Sequence, residues 1–297
     1  MEKCGLCPRG CGARRTPDTA GGLCRSKSLP TVAMASVHMW EEPCISGTKG
    51  SGTVFFAGCP LGCVYCQNRD ISRDGAAGRT VGPSELTAIY HRLADRGVHN
   101  INLVTGAHFA DSIALSLEGW RRLPVVWNSS GYEKLETLKM LEGKVQIYLP
   151  DMKYSDSALA AKYSRAADYP DIARAAIKEM VRQVGPFEMG EDGLLRSGVV
   201  IRHLMLPGSL KNTLGVIDWV AGAFKKGTVL FSLMGQYTPF DVPEGCPELK
   251  RRVYSREYQR AEEYMLKRGI EDGYVQLRDS AQRDYTPDFS GGGDVKL

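Results

Sequence analysis

No stretch of this sequence approaches the roughly 20 consecutive apolar residues that a membrane-spanning helix requires. The longest candidate, Thr53 to Cys66, is broken by Gly58, Pro60 and Gly62. The first ten residues, MEKCGLCPRG, lack the apolar core of a signal peptide. The expectation is a soluble, cytoplasmic protein with no membrane partner. A strong charge excess is also missing. The net charge is +4, and residues 1–30 supply it, with Lys3, Arg9, Arg14, Arg15, Arg25 and Lys27 set against Glu2 and Asp18. So few charges argue against nucleic acid as a partner and read instead as arginines offsetting a thiolate-rich metal site. No long internal repeat is evident.

What the sequence does have is cysteine. There are nine, an odd number that argues against a disulfide framework in a chain without a secretion signal. Four fall within residues 4–24 and three within 59–66, leaving Cys44 and Cys246 apart. Clustering of this kind in a reducing compartment reads as metal ligation. The 297 residues, 43% of them hydrophobic, also suffice for a sizeable core.

Short apolar or β-branched runs at Thr53–Phe56, Ile101–Val104, Val125–Trp127, Val145–Leu149, Val199–Leu206 and Thr228–Leu233 read as buried strands. Helical periodicity fills the gaps. Leu86, Ile89, Tyr90 and Leu93 share one face of a segment spanning 84–96, and Ile177, Met180, Val181 and Val184 share one face of 171–184. Further helices are expected near 109–119, 132–142, 209–225 and 256–268. Six strands alternating with helices imply parallel βαβ units, either as an incomplete barrel or as a doubly wound sheet. The expected organisation is a Cys-rich head (1–30), a connector (31–52), the α/β domain (53–240) and a C-terminal helical extension with a loose tail (241–297).

Directly after the first strand stands Gly58-Cys59-Pro60-Leu61-Gly62-Cys63-Val64-Tyr65-Cys66-Gln67-Asn68. Thiolates are soft ligands suited to iron–sulfur clusters or zinc. Three on one tight loop can hold three irons of a cubane and leave the fourth open, whereas structural zinc takes four closed ligands. Gly58 and Gly62 let the backbone fold closely around such a group. Parallel α/β folds build their sites at the carboxyl ends of strands, where this loop falls.

The Cys-x3-Cys-x2-Cys spacing, with Tyr65 before the last cysteine, resembles the signature of the radical S-adenosylmethionine superfamily. Nearly the whole chain resembles the branch labelled pyruvate formate-lyase activating enzyme-like, through Trp40-Glu41-Glu42-Pro43, Asn102-Leu103-Val104-Thr105, Asn128-Ser129-Ser130-Gly131-Tyr132, Leu149-Pro150-Asp151-Met152-Lys153-Tyr154, Ile201-Arg202-His203-Leu204 and Gln236-Tyr237-Thr238-Pro239. The resemblance implies an incomplete (β/α)6 barrel. It also implies a 4Fe-4S cluster on Cys59, Cys63 and Cys66 that cleaves S-adenosylmethionine, and an electron donor such as flavodoxin or ferredoxin. The resulting 5′-deoxyadenosyl radical would take hydrogen from a substrate.

The resemblance also implies roles at the strand ends. Tyr65 and Gln67 belong to the cofactor loop. Asp151 and Lys153 match the Asp-x-Lys element of glycyl-radical activases, and Asn128 and Ser129 match a stretch that holds the methionyl carboxylate or ribose. Arg202 and His203 point to opposite faces of their strand, and His203 is expected to face the adenosyl group. Many members carry Gly-Gly-Glu-Pro where this chain has Thr105-Gly106-Ala107-His108. Gly106 keeps room for close approach, but the acidic partner of the methionyl amino group is absent. The substrate is expected to be a glycyl-radical enzyme. The alternatives are another peptide, a small metabolite, or a non-catalytic metal-binding role.

In the head, Cys4, Cys7, Cys11 and Cys24 offer four soft ligands that suit zinc or a second iron–sulfur cluster equally. Cys44 and Cys246 read as small buried hydrophobes.

Overall fold

A computed structural model describes residues 3–75, 77–276, 289, 293 and 295. The strands are β1 (Thr31–His38), β2 (Ser51–Phe56), β3 (Arg79–Thr80), β4 (Ile101–Val104), β5 (Val125–Ser129), β6 (Ile147–Pro150), β7 (Glu188–Met189), β8 (Leu195–Leu204), β9 (Leu230–Met234) and β10 (Gly273–Gln276). The helices are α1 (Pro43–Ser46), α2 (Arg69–Ser72), α3 (Pro83–Asp95), α4 (Ala110–Ser116), α5 (Leu135–Lys139), α6 (Ser157–Ser164), α7 (Tyr169–Val184), α8 (Leu210–Ala223) and α9 (Ser255–Lys267). None of the described helices is long and apolar enough to cross a membrane.

The sheet runs β10-β9-β8-β6-β5-β4-β2-β1-β3, with β7 on the side of β8. The six strands expected from sequence are its parallel centre. β10 adds a further parallel strand beside β9, and β1 and β3 extend the other edge antiparallel. The sheet does not close: β3 and β10 are its two ends. Side-chain alternation separates its faces. Leu103, Trp127, Tyr148, Val199, Ile201 and Phe231 meet the apolar sides of α3, α4, α5, α7, α8 and α9 in one continuous core. Val126, Ile147, Leu149, Val200 and Leu230 point the other way and meet the short α1 together with Leu195, Phe187 and Tyr274. Helices of this size on one face only make an incomplete barrel, not a doubly wound sheet.

Local chemistry sets the elements. α3 opens with Pro83 in its first turn, and the Glu85 carboxylate accepts from Gly82 N at 2.8 Å. The expected connector, 31–52, is corrected: it folds into β1 and α1, and α1 packs inside the barrel. Most of the tail expected to be loose, 280–297, lies outside the described residues. Of it, Phe289 packs edge-on to Phe55, and Val295 N donates to Ala35 O at 3.1 Å.

Candidate functional site

The cysteine loop leaves the carboxyl end of β2 and is pinned by its own backbone. Gly58 N donates to Ile71 O at 2.8 Å and Val64 N to Tyr163 O at 2.9 Å. Each sulfur also meets a donor. Leu61 N lies 3.4 Å from Cys59 Sγ, Ser164 Oγ 3.1 Å from Cys63 Sγ, and Ser72 Oγ 3.5 Å from Cys66 Sγ. Burial, with the other two cysteines adding, pushes the Cys59 thiol up to about 12. Burial also raises Cys63, against the pull of the nearby Lys153 ammonium. As free thiols Cys59 and Cys63 stay neutral, so ionised sulfur at these two calls for a bound cation. Among the described residues no three His, Cys, Asp or Glu side chains gather tightly enough for a single metal ion. Three hydrogen-bonded thiols on one loop suit a cluster, which spreads its ligands over several irons, whereas structural zinc takes four closed ligands.

Tyr65 does not face outward from this loop. Its ring lies edge-on to Tyr154, Tyr163 and Tyr237 at 6.2–6.5 Å, and it forms part of the helix-side core behind the cysteines. Gln67 is exposed.

A second group of charges fills the barrel interior. Asp151, at the end of β6, pairs in register with Arg202 of β8. Its carboxylate lies 2.5 Å from Lys153 Nζ and 3.0 Å from Arg202 Nε. Arg202 also donates to Asn128 Oδ1 at 2.6 Å and to Glu41 Oε2 at 3.2 Å. Glu41 Oε1 accepts from Asn102 at 3.1 Å and from Asn128 at 3.0 Å. Burial raises Asp151, but Arg202 and Lys153 outweigh it and hold the carboxyl below its ordinary value. Burial wins at Glu42, whose carboxyl is pushed up to about 7 with Arg202 pulling down, and whose Oε2 has no hydrogen-bond partner. Three carboxylates thus share two cations. Lys153 ties this network to the loop, because its charge acts on Cys63.

Several residues singled out in the sequence lie elsewhere. His203 is corrected: its Nδ1 meets Met152 O at 2.7 Å and its Nε2 meets Thr213 Oγ1 at 3.0 Å, on the α8 side of the sheet. Burial lowers its pKa to about 4. Strand alternation sends Arg202, not His203, to the interior. Gly106 serves packing, since a Cβ there would stand 2.7 Å from Ile113 and 2.8 Å from Trp127. Its neighbour Thr105 is β-branched yet holds a positive φ of 63°, a strained conformation at a strand end. Ser129 Oγ accepts from Gly131 N at 3.0 Å and shapes the turn. Cys44 and Cys246 are buried. Sequence reasoning missed Glu41, Glu42 and Ser164 as site residues. The adjacent acids between Trp40 and Pro43 were the one available signal.

The head lies against the loop. Cys7 is buried and its thiol is pushed up to about 11, with Cys24, Cys4 and Cys11 all adding to the rise. Cys11 Sγ and Cys24 Sγ both crowd the position beside Gly22, at 3.0 and 3.8 Å from where its Cβ would stand. Arg15 donates to His108 O at 2.9 Å and to Lys27 O at 3.1 Å. Thr137 Oγ1 donates to Leu6 O at 2.7 Å. Of the arginines expected to offset thiolates, Arg9, Arg15 and Arg25 donate to backbone carbonyls.

No family model matches the chain. An uncharacterized protein of Methanocaldococcus jannaschii is 28% identical over 282 residues, covering 91% of this chain and 76% of that one. Among solved structures, SuiB of Streptococcus suis bound to S-adenosylmethionine matches with a TM-score of 0.50 at 14% identity, over 79% of this chain and 48% of SuiB. SuiB bound to its precursor peptide SuiA gives the same TM-score over 74% and 47%. The chain thus spans about half the length of SuiB. SuiB is a radical S-adenosylmethionine enzyme, and the fold of this chain is the fold of those enzymes.

Proposed function

We propose that this chain cleaves S-adenosylmethionine reductively to begin radical chemistry, using a 4Fe-4S cluster on Cys59, Cys63 and Cys66. The observation that carries the reading is the three-thiol loop at the carboxyl end of β2, with a hydrogen-bond donor on every sulfur. Cys59, Cys63 and Cys66 would hold the cluster, which would supply the electron for breaking a carbon–sulfur bond of S-adenosylmethionine and so start hydrogen abstraction from a substrate.

The chain's own residues bind, orient and exclude water. Lys153 stands between the loop and the interior acids, held by Asp151, which Arg202 holds in turn. A buried cation so placed can receive a carboxylate of cofactor or substrate. Tyr65, Tyr154, Tyr163 and Tyr169 wall off water behind the loop. Nine free cysteines and a reduced centre suit the cytoplasm and a flavodoxin or ferredoxin as electron donor.

For the substrate, the Asp151-x-Lys153 element favours activation of a glycyl-radical enzyme. A second reading, radical modification of another peptide, draws on SuiB, whose structure includes a precursor peptide. The experiment is anaerobic reconstitution with iron and sulfide, then reductant and S-adenosylmethionine, with 5′-deoxyadenosine and methionine quantified. Cleavage is expected in the wild type and absent in Cys63→Ala. A loaded, reducible cluster whose spectrum ignores S-adenosylmethionine would mark a binding protein instead. A protein radical formed on a glycyl-radical partner, read by electron paramagnetic resonance, separates the two substrate readings.

A further inference from the structure

We propose that Arg9, which reaches over from the head, is a positioning residue for the cysteine loop. It grips two loop peptides by their oxygens and so aims their N–H groups at the Cys59 sulfur. The proposal rests on the cluster reading of that loop. Arg9 stands 51 residues from Pro60 and 155 from Ser164 in the chain, yet its guanidinium meets carbonyls of both segments. Nε donates to Pro60 O at 2.8 Å, and Nη2 to Leu61 O at 3.0 Å and Ser164 O at 2.6 Å, while Nη1 donates to Arg165 O. The same group lies over the Tyr132 ring at 5.3 Å. Residues 59–66 form no helix or strand that would fix their peptides without such a partner. The planar, five-donor guanidinium is the side chain that can serve so many acceptors at once.

The link to sulfur runs through the peptide units themselves. A trans peptide is planar, with its C=O and N–H pointing opposite ways. Pro60 O and Leu61 N belong to one such unit. Holding the oxygen turns the Leu61 N–H away from Arg9, and it meets Cys59 Sγ at 3.4 Å. Leu61 O and Gly62 N form the next unit, and the Gly62 N–H acts on the same sulfur. The third oxygen belongs to Ser164, whose hydroxyl donates to Cys63 Sγ at 3.1 Å. One side chain thus sets the donors of two sulfurs while touching no reacting atom. The segment that carries Arg9 is tied down in its turn. Gly10 N donates to Cys7 O at 3.2 Å, Arg15 to His108 O at 2.9 Å and Thr137 Oγ1 to Leu6 O at 2.7 Å. None of these three contacts involves a cysteine side chain.

The test reads hydrogen exchange and redox potential in the full chain. Before reconstitution, Arg9→Ala should speed exchange of the amides between Leu61 and Cys66 by about tenfold or more, with the parallel strands unchanged. After reconstitution, the reduced cluster has lost aimed donors, so its midpoint should fall. At a fixed applied potential the reduced-to-oxidised ratio should drop by about tenfold, ~59 mV for a one-electron couple. Arg9→Lys keeps the positive charge but lacks the planar fork, which guards against a variant that merely misfolds and against a pure charge effect. It should stay near Arg9→Ala in both readouts. A midpoint that Arg9→Lys restores to the wild-type value would show charge alone acting and overturns the proposal. Loop exchange that Arg9→Ala leaves unchanged overturns it too. Iron uptake untouched by Cys63→Ala would instead overturn the underlying cluster reading, independently of the exchange result.

Discussion

Cys63 is approached from two sides by groups that favour ionised sulfur. Ser164 Oγ donates to it at 3.1 Å and itself accepts from Tyr154 OH at 2.7 Å, while Lys153 lends its charge from the barrel interior. A hydrogen bond to cluster sulfur stabilises the reduced, more negative form, so its loss lowers the potential. Such a bond contributes about 1.5 kcal/mol, and only the part gained on reduction moves the potential, so Ser164→Ala should make a reconstituted cluster's midpoint more negative by up to roughly 60 mV. A redox titration followed by electron paramagnetic resonance checks this, and an unshifted midpoint would show that Ser164 only packs. The three cysteines were legible in the sequence because a cluster loop is local and its spacing is chemical. The choice between Arg202 and His203 was not. Along β8 both alternating sets, Val199-Ile201 and Val200-Leu204, are apolar, so a period of two gives no phase.

At the scale of elements, the strands of the parallel centre were readable because strands buried on both faces become continuous apolar runs. α6 was missed because Ser-Ala-Leu-Ala-Ala-Lys-Tyr-Ser is short and carries little amphipathic contrast. β1 was missed because its pairing with β2 is a tertiary fact with no turn signal beside it. These two overlooked elements frame the site: β1 leads from the head into the barrel, and α6 ends at Ser164. The head also packs against the loop at Gly58, which has a φ of 78°. A Cβ there would stand 2.2 Å from Ser26 Oγ and 2.5 Å from Cys24 O, whereas at Gly62, with a φ of 65°, it would meet nothing. Both Gly→Ala changes carry the left-handed backbone penalty of about 1–2 kcal/mol, but only Gly58→Ala must also push the head away. Thermal unfolding and trypsin cleavage of the head should therefore separate them, with G58A losing the head and G62A keeping it. Equal behaviour would mean the head adjusts freely.

For the molecule as a whole, buried acids set the pH dependence of stability. Burial pushes the Glu133 carboxyl from 4.5 up to about 7, although Ser129 and Trp127 pull it down, Trp127 Nε1 donating at 2.8 and 3.0 Å. Below pH 4.5 both folded and unfolded chains hold this proton. Between 4.5 and 7 only the folded chain keeps it, so stability falls as pH rises, then levels off. Urea unfolding at pH 5 and pH 8 should show this loss, and Glu133→Gln should shrink it by about 2.5 kcal/mol. A difference unchanged by the substitution would assign the slope elsewhere, Glu41 and Glu42 being acids raised in the same direction. The interior acids also bear on how the chain comes together. Glu41 and Arg202 meet across 161 residues, and Asn102 and Asn128 join them from strands between. A half-assembled barrel would hold bare carboxylates facing no cation, at a cost of several kcal/mol. Strands added out of order meet the same penalty. The charged floor of the barrel thus works as a checkpoint on folding: slow to satisfy because its partners are far apart in the chain, and satisfied only when β4, β5, β6 and β8 are all in place.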